Sequence, residues 1–240
     1  LYGSPNEDGF FDELGSDSVG FAHGVTLPIF TWILHRNSGA HFNPAVTLGM
    51  IVIRKINWST GMFYIIVQFL GAICAALFIQ AQLGVEIADA ISEKSLIGLP
   101  RPDSGIYNVS GMWTELFGTF VLVYVYCAFN VDHAKTRPLE VFPVAIGFAY
   151  FLCYITVGDV SGGGFNPARA LGPAIIIGKM GNTQFMQFFG PLAGAVLAAL
   201  LYKLIFVDED DEDEEEEGYT DEIKEYSVPV NEKSQMIELQ

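Results

Sequence analysis

Charge is scarce over most of this 240-residue chain. Only 17% of its residues are charged, against 51% hydrophobic, and the mean hydropathy is +0.36. That balance is too apolar for an ordinary soluble domain and reads as a membrane protein. The chain also lacks any Ser-His-Asp or Cys-His arrangement, any phosphate loop and any clustered metal-ligand spacing. An enzyme is therefore not expected, and neither is a cofactor, a metal or a nucleic-acid partner. Cysteine is rare: Cys74, Cys127 and Cys153 are odd in number, separated and set in apolar runs. They read as free core thiols rather than a disulfide framework.

The net charge of -16 is concentrated at one end. From Asp208 to Gln240 there are fifteen acidic and two basic residues, which leaves only -3 for the rest. This segment, opening with "DEDDEDEEEE", has little to bury and is expected to be a disordered, solvated cytoplasmic tail over 208-240. The alternative is a docking or metal-sensing segment whose partner the sequence does not identify.

A transmembrane helix needs about 20 mostly apolar residues. Ile56 to Val85 and Met180 to Val207 are long enough, and Ser18 to Leu34, Met112 to Asn130 and Val141 to Gly158 are helix-sized. Five full spans are predicted. Pro44 to Ile53 and Pro167 to Ile177 are too short to cross, reaching about 15 to 18 Å of a core about 30 Å thick, which suits re-entrant half-helices.

Those two short pieces open near-identical boxes. "SGAHFNPAVTLG", Ser38 to Gly49, returns as "SGGGFNPARALG", Ser161 to Gly172. A shift of 123 residues lays Asn43 on Asn166 and Gly24 on Gly147, and places "FLGAICAAL", Phe69 to Leu77, over "LAGAVLAAL", Leu192 to Leu200. Each half is then span, span, half-helix, span, and three spans per half set the halves in opposite orientation, an inverted repeat. The first-half partner of the span near Gly111 to Asn130 would lie mostly before residue 1. The chain opens on "LYGSPNEDGFFDELGSD" without an initiator Met or an apolar h-region. The expectation is an amino-terminal truncation that removed a first span, with 1-17 as an extracellular loop before a channel domain over 18-207.

With a cytoplasmic tail, Arg36, Arg54, Lys55, Lys135, Arg137 and Lys203 fall inside, against Lys94, Arg101 and Lys179 outside, as the positive-inside rule asks. The external loop from Glu86 to Ser110 then offers the sequon Asn108-Val109-Ser110 for glycosylation, while the one at Asn57 is cytoplasmic.

Asn before Pro is good chemistry for starting a helix, with Asn as N-cap and Pro at the first helical position. Asn43-Pro44-Ala45 and Asn166-Pro167-Ala168 thus predict half-helices over about 43-54 and 166-177. Entering from opposite faces, these bring two positive helix ends and two asparagine amides together near the midplane. Non-helical backbone at that depth must be covered by protein or line a wet cavity. A pore meets both demands: the amide NH2 groups can donate to a passing neutral molecule, while the helix ends oppose cations and protons. Arg169, charged inside an apolar segment, is expected to face a cavity, donating to solutes and repelling cations. Its counterpart in the repeat is Val46.

The two Asn-Pro-Ala boxes, the Glu115 span "TELFGTFVLV" and "GPLAGAVLAALLY" together resemble the aquaporins, the major intrinsic proteins, over about Val19 to Phe206. The resemblance implies an all-α right-handed bundle with two re-entrant half-helices, five of its six full spans being present. It also implies a homotetramer with one pore per subunit and an outer aromatic and arginine constriction at His23, Tyr154, Gly163 and Arg169. His23 replaces the large Phe of strictly water-selective members, Tyr154 stands where they have His, and Gly163 is expected to leave room. Glycerol-conducting members usually have Asp after Asn-Pro-Ala-Arg, where this chain has Ala170. By resemblance His41 lines the cytoplasmic side of the pore, and Glu115 bonds loop backbone near the second half-helix rather than carrying protons. His35 and His133 fall at cytoplasmic loops. Gly71, Ala75, Gly190 and Gly194 are expected to let helices approach closely.

These readings imply passive, osmotically driven water flow through a lipid bilayer, with ions and protons excluded. A facilitator of ammonia, urea or glycerol is the first alternative. A structural or adhesive membrane protein with minor pore activity is the second.

Overall fold

Two Asn-Pro pairs set the two shortest helices, and long apolar runs set the five others. In the computed structural model the described residues are 16–83, 98–100, 102, 108–130 and 139–207. Among them lie α1 (Ser16–Ser38), α2 (Pro44–Val52), α3 (Trp58–Leu83), α4 (Asn108–Asn130), α5 (Phe142–Ser161), α6 (Pro167–Ile177) and α7 (Asn182–Phe206), with a 3-10 turn at Leu139–Val141 before α5. Helix is the sole extended element type among these residues. The expectations for the stretch before residue 16, most of the loop from 84 to 107, Lys94, Arg101, His133, Lys135, Arg137 and the acidic tail lie outside them. One unit runs to Tyr202 and a second begins at Lys203. Both short helices and their loops belong to the first.

The five predicted spans correspond to α1, α3, α4, α5 and α7. Four of these, α3, α4, α5 and α7, are long and apolar enough to cross a membrane, with window hydropathies of 2.4, 1.4, 1.6 and 1.8. The 23-residue α1 is long enough but carries His23, His35, Arg36 and Asn37 along with Ser and Thr, which dilutes its hydropathy. Five full spans are predicted from the sequence and five helices of that length are present, four of which are also apolar enough.

The repeat appears in the backbone. Gly39, Ala40 and Phe42 have φ of 74°, 52° and 50°, and their partners 123 positions on, Gly162, Gly163 and Phe165, have 88°, 59° and 48°. Left-handed backbone is costly for residues with a Cβ, so the same loop is imposed twice by the same surroundings. The capping bonds repeat too. Gly39 N–H donates to His35 O at 2.9 Å and Gly162 N–H to Gly158 O at 2.6 Å. The Ser38 hydroxyl oxygen accepts from Ala40 N–H at 3.4 Å, as that of Ser161 does from Gly163 N–H at 3.2 Å.

Helix packing exchanges elements between the halves. Gly24 of α1 and Gly147 of α5, partners in the repeat, meet where these helices cross: a Cβ on Gly147 would lie 2.5 Å from Gly24 O and collide with Pro28. A Cβ on Gly172 of α6 would lie 2.7 Å from Ala72 of α3, and one on Gly49 of α2 would lie 3.7 Å from Ala195 O of α7, so each short helix packs on a long helix of the other half. Gly190 and Gly194 of α7 lie against Glu115 and Leu116 of α4.

Gly71 differs: no described atom lies within 4 Å of where its Cβ would be. It is the partner of Gly194, whose neighbour is α4, and no described helix fills the corresponding place in the first half. The same asymmetry leaves α3 with 6% of its most apolar window buried, against 44%, 44% and 39% in α4, α5 and α7. Cys74 on α3 is consequently exposed, a correction to its reading as a core thiol, whereas Cys127 and Cys153 are buried.

Candidate functional site

The two short helices meet at their starts. Asn43 caps α2, its side-chain oxygen accepting from Ala45 N–H at 2.9 Å, and Asn166 caps α6, accepting from Ala168 N–H at 3.0 Å and Arg169 N–H at 3.3 Å. Pro44 and Pro167 occupy first-turn positions where no N–H is needed. The amide nitrogens then cross over. Asn43 Nδ2 donates to Phe165 O at 2.8 Å and Asn166 Nδ2 donates to Phe42 O at 2.9 Å. Each asparagine thus holds the loop of the other half, and the left-handed φ at Phe42 and Phe165 turns those carbonyls to meet it. An amide NH2 carries two donors. These bonds use one per asparagine and leave the second N–H of each for something else.

Buried side chains fix both loops. The Glu115 carboxylate, fully buried, accepts from Gly164 N–H at 2.8 Å and Phe165 N–H at 2.6 Å. Gln187 Nε2 donates to Ser161 O at 2.6 Å and Pro100 O at 3.3 Å. On the first-half side, the Tyr126 hydroxyl donates to Ala40 O at 2.7 Å. Thr47 Oγ1 donates to Asn43 O at 3.1 Å and accepts from Gln68 Nε2 at 2.9 Å, with His41 Nδ1 3.1 Å away. The His41 ring lies edge-on to Tyr64 and Tyr126, 5.7 and 6.2 Å between centroids. His35 tilts against Phe142 instead.

The four expected constriction residues come together. Arg169 Nε donates to His23 Nε2 at 3.1 Å, while His23 Nδ1 lies 2.8 Å from Val19 O. Only the tautomer protonated at Nδ1 satisfies both bonds. His23 stacks on Tyr154 with centroids 6.0 Å apart and an angle of 12°. The Tyr154 ring lies directly on Gly163, where any Cβ would collide with it. The room expected at Gly163 is therefore taken by Tyr154, a correction that follows from its aromatic ring packing against the bare backbone there.

Tyr150 had no place in the sequence reading. One helical turn before Tyr154, it is 5% exposed and stacks on His23 at 5.1 Å and 9°. Its hydroxyl donates to Gly163 O at 3.3 Å and Gly164 O at 3.2 Å. The available signal was its four-residue spacing from Tyr154 on one helix face. Asn108 is exposed at the first residue of α4, apart from this cluster. Among the described residues no three His, Cys, Asp or Glu side chains gather as a metal site.

The family model described as "Major intrinsic protein" matches residues 6–202. The chain belongs to the major intrinsic protein, or aquaporin, family. It is 34% identical over 200 residues to Aquaporin TIP2-3 of Arabidopsis thaliana, covering 83% of this chain and 76% of that one. It is 36% identical over 199 residues to Probable aquaporin TIP2-2 of Oryza sativa subsp. japonica, covering 83% and 75%. With Aquaporin PIP1-1 of the same rice the identity is 33% over 200 residues, covering 80% and 66%. The X-ray structure of the aquaglyceroporin from Plasmodium falciparum superposes with a TM-score of 0.68 at 19% identity, over 80% of this chain and 83% of that one, a likeness of fold. This aquaporin-family chain is accordingly a multi-pass membrane protein built as a channel, and the paired Asn-Pro-Ala boxes are typical of the family.

Proposed function

We propose that the protein conducts water passively down an osmotic gradient and excludes ions and protons. The observation that carries this reading is the crossed pair of bonds, Asn43 to Phe165 O and Asn166 to Phe42 O. It holds two helix starts face to face, each with an N–H to spare. A water whose oxygen accepts from both asparagines turns its hydrogens toward its neighbours in the file, which breaks a proton relay. The two positive helix ends and Arg169 oppose cations. Tyr154 lying over Gly163 favours a narrow solute over glycerol or urea.

On this reading 18-207 is the channel domain, His23, Tyr154, Gly163 and Arg169 form the outer constriction, and His41 lines the opposite, cytoplasmic side. Glu115 acts structurally, the tail is cytoplasmic, and four copies assemble with one pore each. The exposure of Asn108 supports its use as a glycan acceptor on the outer face. The test is stopped-flow light scattering on proteoliposomes. Water flow well above empty vesicles, with urea and glycerol uptake at the lipid background, is expected. Solute uptake rivalling water flow moves the assignment to a small-solute facilitator, and a rate equal to that of empty vesicles ends the channel reading for this chain.

A further inference from the structure

We propose that Tyr150 is a specificity-determining residue, forming a second constriction between the His23–Arg169 pair and the two asparagines. The proposal rests on the water-channel reading and deepens it. The ring is tied to both ends of that interval. It stacks on His23 at 5.1 Å and stands edge-on to Phe165 at 5.8 Å and 75°, and the Phe165 carbonyl accepts from Asn43. The hydroxyl reaches the carbonyls of Gly163 and Gly164, the loop joining the outer constriction to Asn166.

A neutral molecule leaving bulk water needs acceptors for its hydrogens as well as donors for its oxygen. The spare asparagine N–H groups are donors, and loop carbonyls are the natural acceptors. Tyr150 places one O–H on two of them. At 3.3 and 3.2 Å both bonds exceed the usual O–H···O length of about 2.8 Å, so the shared hydrogen is loosely held and can be yielded to a passing molecule. A single water can exchange with it, whereas a solute several atoms long needs the space that the ring occupies.

Full-length protein and its Tyr150→Val and Tyr150→Phe variants, reconstituted at equal density, test this by stopped-flow measurement of water, urea and glycerol entry. Tyr150→Val removes ring and hydroxyl and is expected to raise urea and glycerol uptake about tenfold. Tyr150→Phe keeps the ring packing and frees both carbonyls. It is expected to leave glycerol excluded and to speed water about threefold, the effect of losing one modest hydrogen bond. Should Tyr150→Val not fold, Tyr150→Phe carries the test alone. Variants that match the parent in water rate and selectivity overturn the assignment. A parent no faster than empty vesicles overturns the water reading; a Tyr150→Val variant that then conducts still upholds a closure at Tyr150, and an inert one overturns that too.

Discussion

Glu115→Gln isolates what holds the second loop in place. In the parent each carboxylate oxygen accepts one backbone N–H, from Gly164 and Phe165. The amide of Gln is nearly the same size but has one oxygen and an NH2. One of two adjacent loop N–H groups must then face another donor in a site with no exposed surface. Hydrogen bonds to a charged group contribute about 1.5 to 3 kcal/mol, and a buried N–H left unmade costs about 1 to 3 kcal/mol. Because the two figures partly describe the same bond, the expected loss lies between either one and their sum, at about 2 to 4 kcal/mol. At about 2 to 4 °C per kcal/mol for a chain of this size, the melting temperature in detergent falls by about 4 to 16 °C. The measurement is thermal unfolding followed by circular dichroism on matched preparations. Osmotic water flow is expected to fall as well, because Phe165 carries the carbonyl that Asn43 bonds. A melting shift below about 1 °C with unchanged flow would refute the reasoning, since the carboxylate would then not be what fixes the loop.

Three further perturbations probe separate parts. Arg169→Val removes a unit charge that, at about 4 to 8 Å and an effective dielectric of about 20, opposes a cation by about 2 to 4 kcal/mol; voltage-clamped cells are expected to show cation or proton current roughly 30- to 1000-fold above the parent, and silence would remove Arg169 from that role. Asn43→Asp places a carboxylate against the Phe165 carbonyl in a site only 6% exposed, so weakened ion exclusion in the same cells, together with lower thermal stability, is the expected pair of readouts. Gly147→Leu drives a side chain into Pro28 and Gly24 at the α1–α5 crossing. Overpacking of about 1 to 3 kcal/mol or more predicts a lowered melting temperature at Gly147 and none at Gly71→Leu, where no described atom is near.

The readable part of this fold follows from local chemistry stated twice. Asn before Pro specifies a helix start by itself, so both short helices begin where the sequence puts them, at Pro44 and Pro167. The 123-residue register could be followed down to single φ angles, because Ser-Gly before the box leads the backbone through the same left-handed turn at Gly39 and Gly162. Less was legible where a side chain meets something distant in sequence. A glycine announces absent volume but not what fills it, and at Gly163 the filler is Tyr154. A tyrosine in an apolar run has many reasons to be there, so only coordinates place the Tyr150 hydroxyl on two loop carbonyls. The exposure of Cys74 was illegible for a related reason: apolarity does not announce burial, since α3, the most apolar of the four spans, has 6% of its apolar window buried, while α4, the least apolar, has 44%.

The two loops that precede the short helices are alike in backbone and unlike in side chains, and the unlikeness falls at the proposed constriction. Around the asparagines the symmetry is nearly complete, with matched caps, matched φ and crossed amide bonds of 2.8 and 2.9 Å. Away from them it breaks. Arg169 stands opposite Val46 in the repeat, and Gly163 opposite Ala40. The Gly164 and Phe165 N–H groups are held by a buried carboxylate, while Ala40 O and its partner Gly163 O each accept from a tyrosine hydroxyl, of Tyr126 and of Tyr150. A symmetric centre offers the same groups to a molecule arriving from either side. On the proposed reading, discrimination by charge and by size needs to be built only once, where His23 of the first half meets Tyr150, Tyr154, Gly163 and Arg169 of the second, since a molecule refused anywhere along a single file does not cross.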